Sequence, residues 1–403
     1  MKYDFESFID RHNMDSIAAD PTNDSVYRKD IELKYGIKNH IPMWIADMSF
    51  PVFPDIQESI KKRTEHPCFG YFLPREEYYE AIKNWQKNRN GITGIENKNI
   101  GYENGVLGGV ASALTAFAGK GGKVLVNSPT YVGFTHVLDD CGFEAVHSPL
   151  VKDENNIWRL DFEDMEKKIA DEKIKAAIFC SPHNPTGRVW ERCEIEKAME
   201  LFKKYDVQVV SDEIWSDIIL KGNKHIPTQS VSEDAKMRTF ALYAPSKTFS
   251  LAGLVGSYHI CYNERMHEEI NKLSTATHYN AMNVLSMYAL LGAFTERGYE
   301  WTDELCEVLS KNAEYAYNYI NENFEGVSLS KPQGTYMIYI DCSEYCKKHG
   351  LSLPELMKRG LEVGIDWQNG EDFLVPYTLR VNLSLPFDMV VKVFDRLKKY
   401  VFI

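Results

Sequence analysis

The sequence has no long apolar run, no excess of positive charge and no Cys-x-x-Cys pair anywhere in its 403 residues. Without a run approaching the length of a membrane span, no spanning helix is expected. The first residues, Met1-Lys2-Tyr3-Asp4-Phe5, lack the apolar stretch of a signal peptide, so the expected compartment is the cytoplasm. Acidic residues outnumber basic ones 58 to 46, and the resulting formal charge of −12 opposes binding to nucleic acid or to an anionic membrane. Cys342 and Cys346 have no second pair at zinc spacing, so no metal site is expected and the eight cysteines read as buried or half-buried free thiols. Gly-x-Ser-x-Gly, Walker, Gly-x-Gly-x-x-Gly and His-Glu-x-x-His patterns are also missing.

What is present is ordinary globular composition, 44% hydrophobic and 26% charged, in a chain long enough for two domains. Residues 1–50 read as an irregular, aromatic-rich arm lying over the body or over a second subunit, and as part of a small domain. Residues 51–285 read as a large domain and 286–403 as a smaller C-terminal α+β domain. Helices are expected over 53–66 and 75–89, and a small-residue helix entered through Gly105 over 105–118. Short apolar strands follow at 123–127, 176–180, 207–210 and 239–243, separated by helical stripes such as Phe162, Met165 and Ile169, or Ile195, Met199 and Phe202. Residues 264–298 read as one long helix joining the domains, and 300–322 as another. Strands at 335–340 and 378–383 and a helix at 390–400 complete the chain.

Nearly continuous apolar strands alternating with amphipathic helices describe an α/β fold with a mostly parallel sheet covered on both faces. Ligands of such sheets sit at the carboxyl ends of the strands. Tyr131, Asn184, Asp212 and Lys247 each fall at such an end. Taken singly, Asp212 would be a helix N-cap, Asn184-Pro185 a turn, Tyr131 core and Lys247 a solvated surface lysine. Four polar groups converging on one rim are not what those separate readings predict.

The set has the parts that pyridoxal phosphate requires. Lys247 lies among small and apolar residues, where desolvation turns its amine into a nucleophile. Asp212 supplies an acid for the pyridine nitrogen, Asn184 a donor for the ring oxygen and Tyr131 an aromatic cover. The Gly105-Val106-Leu107 turn offers backbone amides at a helix start for the phosphate.

The runs Ser181-Pro-His-Asn-Pro-Thr-Gly187, Ser211-Asp-Glu213, Ser246-Lys-Thr-Phe249 and Arg380-Val-Asn382 resemble fold-type I pyridoxal-phosphate enzymes of the class I/II aminotransferase superfamily. Within it, Trp44-Ile-Ala-Asp-Met-Ser-Phe50, Phe69-Gly-Tyr71 and Ser246-Lys-Thr-Phe-Ser-Leu-Ala-Gly253 are similar to the cystathionine β-lyase-like C–S lyase branch. The resemblance implies a large domain with a mostly parallel seven-stranded sheet and a smaller α+β domain, in a homodimer with shared active sites. It implies that Lys247 carries the cofactor and moves the Cα proton, with Tyr131 and Asp212 as its catalytic companions. Gly105, Val106, Leu107 and Ser246 then hold the phosphate, joined by Tyr71 from the neighbouring subunit. Arg380 clamps the substrate carboxylate, with Asn184, Ala46 and Tyr71 beside the substrate.

Three positions depart from the pattern of relatives. Val255 stands where many superfamily members have a phosphate-binding arginine, as is common in the C–S lyase branch. Trp215 replaces that branch's usual histidine, and Trp367-Gln-Asn-Gly-Glu-Asp-Phe373 replaces its glycine- and phenylalanine-rich substrate loop. The expected activity is cleavage of cystathionine or a related S-substituted cysteine to a thiol, pyruvate and ammonia. The alternatives are a pyridoxal-phosphate-dependent aminotransferase of class I/II and, from another class, a non-catalytic cofactor-bound regulator.

Overall fold

The computed structural model describes residues 1–19 and 40–403. Seven strands build the main sheet: β1 (Ile100–Glu103), β2 (Lys123–Ser128), β3 (Glu144–Pro149), β4 (Ala176–Cys180), β5 (Gln208–Asp212), β6 (Thr239–Tyr243) and β7 (Ser257–Ile260). Their spatial order is β1-β7-β6-β5-β4-β2-β3. Neighbouring pairs are parallel from β6 through β3, while β7 runs antiparallel to both β6 and β1. The mostly parallel seven-stranded sheet expected from the sequence is therefore present. Strands β4 and β6 are buried along their whole length, as a sheet covered on both faces requires.

Successive residues of a strand point to opposite faces, and two apolar clusters follow that alternation. Val124, Val126, Ala176 and Ile178 face one cluster with Val110 and Phe134, while Leu125, Ala177 and Phe179 face the other with Met165, Ile195 and Phe202. The register sets Cys180 beside Asp212 and Asp212 beside Leu242, so the carboxyl ends of β4, β5 and β6 finish close together.

A second, antiparallel sheet contains β8 (Ser328–Leu329), β9 (Met337–Asp341), β10 (Gln368–Asn369) and β11 (Thr378–Asn382), in the order β8-β9-β11-β10. Arg380 lies at the middle of β11, opposite Tyr339 on one side and Gln368 on the other.

The expected helix over 264–298 is corrected by the structure. The segment forms a helix at Glu264–Ala276, a loop, a helix at Val284–Ala293 and the start of a third helix at Glu296–Asn323. Asn283 and Thr295 are the reason. Each accepts a hydrogen bond from a backbone amide two or three residues ahead and so starts a new helix, although apolar spacing runs on through both. The long element is the 28-residue helix Glu296–Asn323, about 42 Å from end to end.

The first residues of the arm lie on the body. Phe5 is buried against Phe50 and Trp301, and Tyr3 packs edge-on against Phe53. The part of the expected arm at 20–39 lies outside the described residues. All eight cysteines are free thiols, but Cys68, Cys141 and Cys193 are exposed, against the expectation of burial.

Candidate active site

The helix Val106–Ala118 begins where β1 turns back through Gly105, whose φ of 85° is open to glycine and costly for other residues. The first-turn amides of that helix have no partner within it, and its dipole favours an anion there. Gly133 performs a related service opposite. A side chain there would collide with the Tyr131 ring, 2.4 Å from an added Cβ, so only glycine lets Tyr131 lie over the start of its helix. One cavity is lined by Gly105, Tyr131, Asn184, Asp212, Ser246 and Lys247. The structure thus brings together on one rim the residues that the strand ends predicted. Ala46, Val106 and Leu107 line the same cavity. Tyr71 does not; it is fully exposed on a loop between helices, beside exposed Phe69 and Leu73.

Lys247 follows β6 in a tight turn. Thr248 donates its hydroxyl to Asp217 at 3.0 Å, Trp85 Nε1 donates to the same carboxylate at 3.0 Å, and Phe249 is fully buried against Trp85 and Trp301. With both following side chains fixed, the amine is aimed rather than free. Its Nζ donates to the carbonyl of Ala46 at 3.1 Å and lies 5.8 Å from the Trp215 ring. Burial, reinforced by the Arg380 guanidinium, lowers its pKa to about 8, against the pull of Asp47 and Asp212.

Asp212, the last residue of β5, is buried and accepts a hydrogen bond from the Ile214 amide at 3.1 Å. Burial outweighs that bond and raises its pKa to about 7, so the site stores an acid that ionises readily once a cation lies against it. Burial also raises the Tyr131 phenol. Glu213, next to Asp212 but facing the other way, is fully used by Ser211, His225, Thr228 and Tyr243.

Arg380 reaches the same rim from the second sheet. It is 3% exposed, and among the described residues it forms no ion pair. Nη1 donates to Asn184 Oδ1 at 3.0 Å and Nη2 to the Trp44 carbonyl at 3.1 Å, while Nε has no partner among the described residues. The Phe373 ring lies 4.8 Å from the guanidinium carbon. Burial brings the pKa down to about 10. A buried, oriented, uncompensated cation is a receptor for a carboxylate.

The departures noted in the sequence resolve differently. Trp215 is buried, lines the cavity and meets Tyr336 edge-on at 4.7 Å. Trp367 does not reach the site; it packs on Gly360 and Phe402, and its loop contributes Phe373 instead. Val255 lies beside Gly105 and adopts φ 52°, which is sterically unfavourable for a β-branched residue. Reading the sequence missed Asp217 beneath the lysine turn, whose only signal was a polar residue within an otherwise buried stretch, and gave no role to Asn382 of the Arg380-Val-Asn382 run, which lies beneath residues 45–47.

This set matches pyridoxal phosphate group by group: an amide-rich helix start for phosphate, an amine for the aldehyde, a buried acid for the ring nitrogen and an aromatic face. Residues 40–397 match the family described as aminotransferase class I and II. The chain belongs to that family. It is 34% identical over 330 residues to cystathionine β-lyase PatB of Bacillus subtilis, covering 82% of this chain and 84% of that one. The cystalysin structure from Treponema denticola, which contains pyridoxal 5'-phosphate, is similar at TM-score 0.90 and 29% identity, covering 99% and 98% of the two chains. The pyridoxal-phosphate-bound C–S lyase of Staphylococcus hominis is similar at TM-score 0.88 and 28% identity, covering 100% and 98%.

Proposed function

We propose that the protein is a pyridoxal-phosphate-dependent C–S β-lyase acting on cystathionine or a related S-substituted cysteine. The observation that carries the reading is one cavity lined by a neutralisable amine, Lys247, with Asp212 and Asn184, and a buried guanidinium, Arg380, that donates to Asn184 and forms no ion pair among the described residues. When bound, the cofactor's ring supplies a sink for the electron pair of a broken Cα–H bond. Lys247 would hold the cofactor through its aldehyde, Asp212 would pair with the ring nitrogen, Asn184 would serve the ring oxygen and Tyr131 would cover the ring. Gly105, Val106, Leu107 and Ser246 would hold the phosphate.

Arg380 takes the substrate's α-carboxylate and fixes the orientation of Cα. Once its amine is free, Lys247 would accept the Cα proton. Loss of that proton leaves the C–S bond at Cβ as the bond to break, and the thiolate departs and is protonated. Water converts the remaining three-carbon fragment to pyruvate and ammonia. Trp215 and Ile214 wall the cavity and limit water near the reacting carbon.

The exposed Phe69, Tyr71 and Leu73 support a homodimer in which Tyr71 completes the phosphate site of the partner subunit. No described helix is long and apolar enough to cross a membrane, and a cytoplasmic location is part of the proposal. The family description favours a second reading, an aminotransferase in which the Cα proton is returned elsewhere and the amine is kept. Incubation with cystathionine alone separates the two. Stoichiometric pyruvate and thiol without a 2-oxo acid support the lyase, whereas turnover that demands such an acceptor overturns it.

A further inference from the structure

The stretch from Trp44 to Met48 passes between the two charged groups that the proposed reaction uses. The Trp44 carbonyl accepts from Arg380, and the Ala46 carbonyl accepts from Lys247. Asn382 holds the other side of this strap, donating Nδ2 to the carbonyls of Ile45 at 2.9 Å and Asp47 at 2.8 Å. Ser250, three residues beyond the lysine, accepts from the Met48 amide at 3.2 Å and donates to Asp47 Oδ1 at 3.3 Å. It does so with φ 56°, a conformation that a non-glycine residue adopts only when its surroundings hold it there. Asp47 Oδ2 is then bound by Arg11 of the N-terminal arm at 2.5 Å.

We propose that Asp47 and Arg11 are a positioning pair for Lys247, fixing the strap between the amine and the carboxylate-binding arginine and setting how readily that amine carries a proton. The inference rests on the role given to Lys247 above. Four charged groups face the amine or stand just behind those that do. Asp212 comes from β5, Arg380 from β11, Asp47 from the strap and Arg11 from the arm behind it. Asp212 and Arg380 are committed to cofactor and substrate, which leaves the strap pair to adjust the charge around the amine. Arg11 partly neutralises Asp47, so its loss strengthens the negative field at the amine, while loss of Asp47 removes that field and leaves Arg11 unopposed.

The test is the rate at which an amine-directed acylating reagent labels Lys247 at neutral pH in the cofactor-free chain, read by peptide mass spectrometry. A pH titration of visible absorbance in the cofactor-loaded protein accompanies it. Asp47→Asn is expected to label about threefold faster than the parent and Arg11→Gln about threefold slower, as one unit charge several ångströms away in a partly screened site would produce. Arg11→Lys should restore the parent rate. A strap that merely became loose would shift both variants in one direction. Equal-sign shifts, or none, overturn the proposal. Should Asp47→Asn fail to fold, Arg11→Gln decides alone: slower labelling supports the pair, and unchanged or faster labelling refutes it. A parent chain that stays colourless with pyridoxal phosphate sinks the cofactor reading instead, while the labelling comparison still stands.

Discussion

Asp212 is a buried carboxylate that forms no ion pair among the described residues, and the pull of Lys247 does not offset its burial. Its pKa moves from 3.8 to about 7, which corresponds to about 4 kcal/mol of disfavoured ionisation. The sign follows from proton counting. Between those two values the folded chain holds a proton that the unfolded chain has released, so stability falls as pH rises through the window, and the loss is complete above pH 7. Replacing Asp212 by Asn removes the titration while leaving an oxygen for the Ile214 amide. The substitution has its own pH-independent cost or gain, which cancels when two pH values are compared. From pH 5 to pH 8 the variant should gain about 2.6 kcal/mol on the parent. The unfolding entropy of 403 residues is about 0.85 kcal/mol/K, so this corresponds to about 3 °C in Tm. Scanning calorimetry of both proteins, freed of cofactor, at the two pH values measures it. If the Tm difference between variant and parent is the same at pH 5 and pH 8, Asp212 is not the buried acid described here.

Lys247→Ala should abolish both the visible absorbance after addition of pyridoxal phosphate and all turnover; full activity would show that another group takes the Cα proton. Arg380→Leu removes a charge-assisted carboxylate contact of roughly 3 kcal/mol, so kcat/KM should fall about 150-fold, mainly through KM, in steady-state assays. Gly105→Ala forces a side chain into a backbone of φ 85° at the helix start. It should cost roughly 1–2 kcal/mol, and faster loss of bound cofactor on dialysis would report it.

How much of this could be read before the fold was known depends on where each residue finds its partners. Lys247, Asp212, Asn184 and Tyr131 were legible because each lies at or just past the end of a short apolar strand, and chain order fixes which end of a parallel strand carries the ligand. The interruption at 277–283 was not, because apolar residues continue at helical spacing through Asn283 and only the capping bond reveals the restart. Strands β1 and β7, four residues each, are too short for a periodic signal. Contacts across the sequence were hidden altogether. Arg11 meets Asp47 across 36 residues and Ser250 meets it across 203, and nothing in the local pattern of either segment announces the meeting.

The charges of the site share one property that ties its chemistry to its stability. Lys247, Arg380 and Asp212 are all shifted toward their neutral forms, each with burial as the leading cause. A site assembled for folding alone would have paired them or replaced them with apolar residues, which is commonly neutral or stabilising. Here the pairing is deferred. The acid awaits a ring cation, the amine an aldehyde and the guanidinium a carboxylate, so each ligand part that binds also relieves a burial cost and tightens the fold by mass action. Arg380 shows this most plainly, its fork already oriented by Asn184, Trp44 and Phe373 while Nε has no partner among the described residues. Lysine at that position would keep the charge but lose the planar fork. Geometry, more than charge, would then be what the substrate misses.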